Sequence, residues 1–195
     1  MDKKVFDYIK DCIENGKCAN IVIAGCSCSG KTTLANEIER ELSSICVCSI
    51  HQDDFFKDLN DIPKGSVGVL ADSIHAFHTD KFIDCCTRLL EDGQAYVPVY
   101  DMSKNQYSGH DSIRFKGAVN IFEGLHAISL LKGRMDAIFI FMGTEEDECL
   151  KRRKKRDMDV WRIKEDSVEK YWKGCIEPMN KQYVMPQYDM ADIIM

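Results

Sequence analysis

The sequence predicts an α/β fold in which a mostly parallel sheet lies between two helical layers. Three observations predict it. Short apolar, β-branched runs alternate along the chain with amphipathic helical stretches. A glycine-containing loop sits between the first such run and the helix that follows it. Acidic residues stand just past the ends of two of the runs, where a parallel sheet opens its ligand crevice. The 195 residues suit one domain, 1–195, at about 150 residues per domain. A chain of that size buries about 70% of its unfolded surface and needs no disulfide or structural zinc.

The elements follow in order. Residues 3–14 read as a helix, with Val5, Phe6, Ile9, Cys12 and Ile13 at helical spacing. Ile21–Ala24 is a strand-type run bounded by Asn20 and Gly25. Residues 31–42 carry Leu34, Ile38 and Leu42 four apart, one face of a helix. Ile45–Ile50 is short and β-branched, a second strand, and 57–78 is irregular. Thr79 to Asp92 predicts a helix with Phe82, Cys85, Cys86 and Leu89 on one stripe, Thr79 as N-cap and Gly93 at its stop. Tyr96–Tyr100 is extended, but Pro98 has no N–H for a ladder, so it is an edge or flap element. Ala118–Phe122 and Ala137–Phe141 are buried strands joined by a short helix or turn. Thr144 caps a helix running to about Asp157, with Glu145, Glu146 and Asp147 in its first turn and basic residues at its end. A last helix near 165–177 and a terminal strand, Ala191–Met195, complete the alternation.

Composition narrows the function. There are 26 Lys and Arg against 32 Asp and Glu, a formal net charge of −6, with 45% hydrophobic and 30% charged residues. Such a chain is neither disordered nor collagen-like. Its mild negative charge argues against nucleic acid as the main partner. With no apolar leader core and no run of about 18 apolar residues, neither export nor a membrane span is expected. Ten cysteines then point to a reducing, cytoplasmic setting. They form no C-x-x-C pair and stand near no zinc-finger histidine, so they read as small apolar residues.

Gly25-Cys26-Ser27-Cys28-Ser29-Gly30-Lys31-Thr32 matches G-x-x-x-x-G-K-[ST]. Gly25 and Gly30 permit backbone angles that turn successive N–H groups inward around a nucleotide's β-phosphate. The next helix adds its N-terminal partial charge. Lys31 reaches the outer phosphates and the Thr32 hydroxyl ligates Mg²⁺. The apolar run before and the amphipathic helix after are the context the motif requires. The expected fold is therefore a P-loop NTPase three-layer sandwich, with Gly25 to Thr33, Thr33 included, holding ATP. Cys26 and Cys28 serve as the small residues the loop needs. A sharper alternative is a thiolate favoured by the loop's positive field, and so sensitive to oxidation.

Carboxylates suggest what accepts the phosphoryl group. Asp53 follows the second strand, where a carboxylate takes the proton of an attacking hydroxyl and holds magnesium-bound water. Glu123 ends the strand Ala118–Phe122 and suits a magnesium–water ligand. Lys151 to Arg156 is six consecutive cations, open to reading as a solvated face, a localisation signal, a nucleic-acid patch or a lid. Arg153 and Arg156 share a helix face at i, i+3 and can close over phosphates and neutralise charge developing at transfer. The lid reading is preferred, because the loop already supplies a polyanion to bind.

Together these motifs resemble the uridine kinase and phosphoribulokinase family of P-loop kinases, over roughly residues 20–195. The resemblance rests on Gly25–Thr33, Gln52-Asp53-x-Phe55, Val97-Pro-Val-Tyr100-Asp101, Phe122-Glu123-Gly124, Arg152-Arg153-x-x-Arg156-Asp157, Pro178 and Ala191–Ile194. It implies transfer of the ATP γ-phosphoryl group, with Mg²⁺, to the 5′-hydroxyl of uridine or cytidine in pyrimidine salvage. Asp53 matches the family's base, Thr32 and Glu123 its magnesium site, and Asp72 an acid on the ribose hydroxyls. Tyr100 matches an aromatic of a β-hairpin flap, about 94–117, that packs beside the base. Arg153 and Arg156 match arginines of a helical lid, about 145–165, and Arg162 falls near one that reads the pyrimidine. A homo-oligomer is implied too.

Departures fall mostly on base recognition. Asn105 stands where uridine kinases carry a base-bonding His. Asp159-Val-Trp161-Arg162 replaces Glu-Arg-Gly-Arg, Phe56 replaces a Tyr, and Lys170 replaces a Gln. The chain stops at Met195, short of the family's usual C-terminal helix. Alternatives are a kinase for another small alcohol, such as nicotinamide riboside, and a nucleotide-dependent regulator that binds nucleic acid through the basic run.

Overall fold

Along the first strand, Ile21 and Ile23 face one side of the sheet while Val22 and Ala24 face the other, and each pair joins a separate apolar cluster. That alternation builds the layers. The computed structural model describes residues 2–195. Its main sheet comprises β1 (Ala19–Gly25), β2 (Val47–His51), β5 (Val119–Glu123), β6 (Ile138–Met142) and β7 (Ile193–Ile194). All pairings are parallel, in the order β2-β5-β1-β6-β7. The two remaining strands, β3 (Gln94–Asp101) and β4 (Gln106–Phe115), form a separate antiparallel hairpin.

Helices α1 (Lys3–Glu14) and α2 (Lys31–Glu41) cover one face through Val5, Ile9, Cys12, Leu34, Ala35 and Ile38. Phe6 and Ile13, expected on the same stripe, lie at its border and are half-exposed. The other face takes α3 (Thr79–Asp92), α4 (Ala127–Leu131) and the C-terminal helical segment, around Phe55, Phe77, Phe82, Phe122 and Phe141. Burying each such ring stabilises the fold by about 1.5–3 kcal/mol, so this side is the thicker core.

Several expected boundaries shift for local reasons. The N-cap of α3 is His78 rather than Thr79, which is the first helical residue. Gly93 ends that helix in the left-handed region, as expected. Helix α5 (Glu146–Trp161) is capped by Glu145, not Thr144, because the Thr144 hydroxyl donates to the Ser29 carbonyl at 2.8 Å instead. The helix continues a turn past Asp157, so its basic run lies mid-helix and the last turn carries no cation. The last helix exceeds its expected 165–177. After α6 (Glu165–Tyr171), helical winding continues to Met190 through two π segments, around a short α turn at Glu177–Met179, and then a 3-10 turn. Pro178 sits between the π segments, and a widened turn accommodates a residue that cannot donate within the helix.

Candidate active site

The parallel register gathers three strand ends. His51 pairs with Glu123, Glu123 with Ile23, and Gly25 with Met142. The carboxyl ends of β2, β5 and β1 therefore open onto one crevice, where a parallel sheet binds ligands. A cavity of about 1190 Å³ occupies it. Its walls include Ser27 to Thr33, Asp53, Asp72, Tyr100, Asn105, Glu123, Arg153 and Arg156. These sequence-derived candidates thus meet in one place. Gly25 and Cys26 lie at the loop's buried root, and Arg162 lies outside the walls as the exposed C-cap of α5.

The loop between β1 and α2 folds back on itself. Ser29 N–H donates to the Cys26 carbonyl at 3.1 Å, and Lys31 Nζ to the same carbonyl at 2.9 Å. Gly25, Cys28 and Gly30 all take positive φ, of 150°, 64° and 108°. Cys28 does so without glycine's freedom, the kind of local strain that gathers at binding loops. Burial pushes the Cys26 thiol up to about 12, with Lys31 opposing, so Cys26 is a thiol at neutral pH rather than the thiolate of the sharper reading.

Asp53 rides a 3-10 turn, Gln52–Phe55, directly after β2. Gly124 lets that turn approach, because a Cβ there would lie 2.2 Å from Gln52 Cβ. Gln52 Oε1 accepts the His126 N–H at 2.9 Å and ties the Asp53 turn to the Glu123 turn. Asp53 stands exposed on the cavity wall. Lost hydration within the cleft, with Glu123 nearby, pushes its carboxyl up to about 6 against the pull of Lys31. Asp54 does not line the cavity.

Glu123 is buried, and Thr32 Oγ1 donates to its Oε1 at 2.9 Å. His51 Nδ1 lies 2.8 Å from the same oxygen. Burial alone would raise this carboxyl, but the His51 hydrogen bond, Lys31 and Thr32 together hold it below its ordinary value. His51 is raised in turn, chiefly by that hydrogen bond.

The donor set here fits magnesium. Thr32 gives its one hydrogen to Glu123, which leaves its lone pairs for a cation. Both groups offer oxygen, the ligand that Mg²⁺ prefers. Among the described residues no cluster of three or more His, Cys, Asp or Glu stands ready to hold a metal. Two protein oxygens beside a phosphate loop match an ion carried largely by phosphates and water.

Opposite the loop, α5 lays its arginines across the cavity. Arg153 is buried: Nη1 donates to Ser27 Oγ at 2.9 Å and lies 3.8 Å from Asp72 Oδ1, and Nε lies 3.3 Å from Asp157 Oδ2. Arg156 reaches Asp157 at 2.8 Å. Arg152, which sequence reasoning missed, donates to the Ser29 carbonyl at 3.3 Å. Its place in the basic run was visible; its facing of the loop depends on how α5 crosses the sheet. Five of the six cations have carboxylate partners: Lys151 and Arg152 with Glu148, Arg153 and Arg156 with Asp157, and Lys154 with Glu165 and Glu169. Four carboxylates thus pair five of the cations, and the run is largely paired rather than offered as a free basic face.

Asp72 is 4% exposed, and its Oδ2 is buried without a hydrogen-bond partner. Burial raises its carboxyl, with Arg153 opposing. An orphaned acceptor at a cavity wall suits a ligand hydroxyl. Beyond it the cavity turns apolar and aromatic. Phe56 stacks near Phe77 and Tyr100, with centroids 4.2 and 5.7 Å away. The Tyr100 hydroxyl is spent on the Lys57 carbonyl at 3.3 Å, and Tyr171 bonds the Val69 carbonyl at 2.6 Å. Asn105 stands at the hairpin tip with φ 52°.

Comparison with known proteins finds relatives in both sequence and fold. A profile described as "Phosphoribulokinase / Uridine kinase family" matches residues 20–195. The uridine kinase of Staphylococcus aureus (strain JH9) is 33% identical over 178 residues, covering 89% of this chain and 85% of that protein. Among solved structures, one from Silicibacter sp. TM1040 has a TM-score of 0.75 at 15% identity, covering 98% of both chains. The phosphoribulokinase of Rhodobacter spheroides has a TM-score of 0.62 at 14% identity, covering 91% of this chain and 69% of that one. At such identities the structures speak to the fold, which is that of P-loop kinases.

Proposed function

Because the chain belongs to the phosphoribulokinase and uridine kinase family, whose members are ATP-dependent kinases, we propose that it phosphorylates the 5′-hydroxyl of uridine or cytidine. The observation that carries this reading is the convergence of Asp53, the Lys31 loop and the orphaned Asp72 carboxylate on one cavity. Lys31 and the loop amides orient the triphosphate. Asp72 accepts hydrogen bonds from the ribose hydroxyls and, with Arg153, aims the sugar. Asp53, on the same cavity wall as Lys31 and with its carboxyl pushed up to about 6, receives the proton of the 5′-hydroxyl as that oxygen attacks. Arg153 and Arg156 screen the charge that spreads over the transferring group. Thr32 and Glu123 would hold Mg²⁺, which neutralises phosphate charge when bound. Phe56 and Tyr100 flank the base.

The S. aureus relative, named a uridine kinase, supports the acceptor class. The largely paired basic run speaks for a lid rather than a nucleic-acid surface, and the alternative functions are not favoured by the comparisons. The reading carries a cytoplasmic setting, which ten free thiols suit. No helix of the described residues is long and apolar enough to cross a membrane. It also carries self-association, for which Tyr96, Ile113 and Phe115 on one side of the hairpin offer exposed apolar surface. The test is an acceptor panel. Purified protein with Mg²⁺·ATP should form the 5′-monophosphates of uridine and cytidine faster than those of purine nucleosides or nicotinamide riboside. Preferential phosphorylation of a non-pyrimidine acceptor contradicts the assignment.

A further inference from the structure

His51 ends β2, two residues before Asp53, and lay outside the site residues expected from the sequence. Its register partner across the ladder is Glu123, which puts the imidazole beside that carboxylate. Nδ1 lies 2.8 Å from Glu123 Oε1, and Thr32 Oγ1 donates to the same oxygen at 2.9 Å. A carboxylate accepts only, so Nδ1 carries the hydrogen in either charge state of the ring. Two donors arriving at one oxygen from different elements, β2 and α2, fix the rotation of the carboxylate as well as its position.

The pair is not needed to hold β2 in place, since five register pairs from Val47 to His51 already join β2 to β5. Nor is His51 a core residue. Its side chain is 31% exposed, against 6% for Glu123, and it borders a second groove beside Ile113, Arg114 and Phe115. Its removal opens no buried void.

We propose that His51 is a positioning residue for magnesium, holding Glu123 in the orientation in which that carboxylate and Thr32 take the metal. The proposal rests on the reading of the site as a Mg²⁺·ATP kinase. Outer hydrogen bonds of this kind fix ligating groups, and their loss costs about 10–100-fold in metal affinity or activity.

Calorimetry with a non-hydrolysable ATP analogue, in EDTA and in excess Mg²⁺, tests it on wild type, His51→Ala and His51→Asn. The Ala variant should bind the magnesium complex at least about tenfold more weakly than wild type while its metal-free affinity stays within about twofold. The Asn variant, whose amide can give one N–H to the same oxygen, should restore magnesium-dependent binding to within about threefold of wild type. Equal magnesium-dependent binding by wild type and His51→Ala overturns the proposal. So does an equal loss with and without metal, which marks a structural role, and so does failure of Asn to restore. A wild type indifferent to magnesium overturns the kinase reading itself, and the proposal with it.

Discussion

Asp53 shows how one residue couples stability to function. Its carboxyl is pushed up to about 6, against the usual value near 4 in an unfolded chain. The folded state therefore holds this proton more tightly than the unfolded one. The ligand-free protein loses stability as pH rises through that window, and the full cost stands above about 6. Asp53→Asn should raise the melting temperature at pH 8, with the gain shrinking toward pH 5, as differential scanning fluorimetry would read. A gain that grows on acidification would refute the shift. Cys28 offers a second test, because its φ of 64° suits glycine and opposes β-branched residues. Cys28→Gly should keep or raise the melting temperature, while Cys28→Val should cost about 1–3 kcal/mol in chemical denaturation. At this scale the sequence was readable where a rule ties residue type to strand end or loop, as for Lys31, Asp53 and Glu123. It was not readable for His51 or Asp72's orphaned oxygen, because cross-strand register and burial are tertiary properties.

Among the elements, the turns after β2 and β5 set the distance between Asp53 and Glu123. Gln52 fills the space that a side chain at position 124 would need. Gly124→Ala should displace the Asp53 turn, lowering stability by about 1–3 kcal/mol through overpacking and lowering turnover in the folded fraction. Normal turnover in that variant would mean that the spacing of the two turns is not critical. The main strands and α1 to α3 were legible because apolar periodicity reports a buried face directly. Strand β4 was not readable from periodicity, since nearly all of Gln106–Phe115 is exposed and only pairing with β3 defines it, although the family resemblance implied a hairpin over about 94–117. The cap on α5 differs from expectation for a similar reason. Thr144 has a better partner in the Ser29 carbonyl than in its own helix, and only the folded chain supplies it.

Across the whole molecule, ligand binding should tie the parts together. Helix α5 reaches the phosphate loop through Arg152 on the Ser29 carbonyl and Arg153 on Ser27, while Arg153 also faces Asp72. On the proposed reading, a nucleotide held by the loop would engage both. Mg²⁺·ATP at 100 times its dissociation constant should stabilise the native state by about 2.7 kcal/mol. Thermal shift would read this in the wild type, and Lys31→Met should remove most of it. An undiminished shift in that variant would take Lys31 out of phosphate binding. The overall class was foreseeable because one loop motif and the strand–helix alternation agree. The identity of the base reader was not. Asn105, which replaces the family's His, lines the cavity from the hairpin tip, while Arg162, which falls near a family arginine, caps a helix outside the cavity walls.

The central claim is that the cavity holds a triphosphate beside a carboxylate that takes a hydroxyl proton. Single-turnover quenched-flow with labelled ATP, Mg²⁺ and saturating uridine tests it most directly, comparing wild type with Asp53→Asn. The account predicts transfer of label to uridine 5′-monophosphate, slowed by about 10²–10⁴-fold in the variant while ATP affinity stays nearly intact. Transfer at an undiminished rate in Asp53→Asn would contradict it.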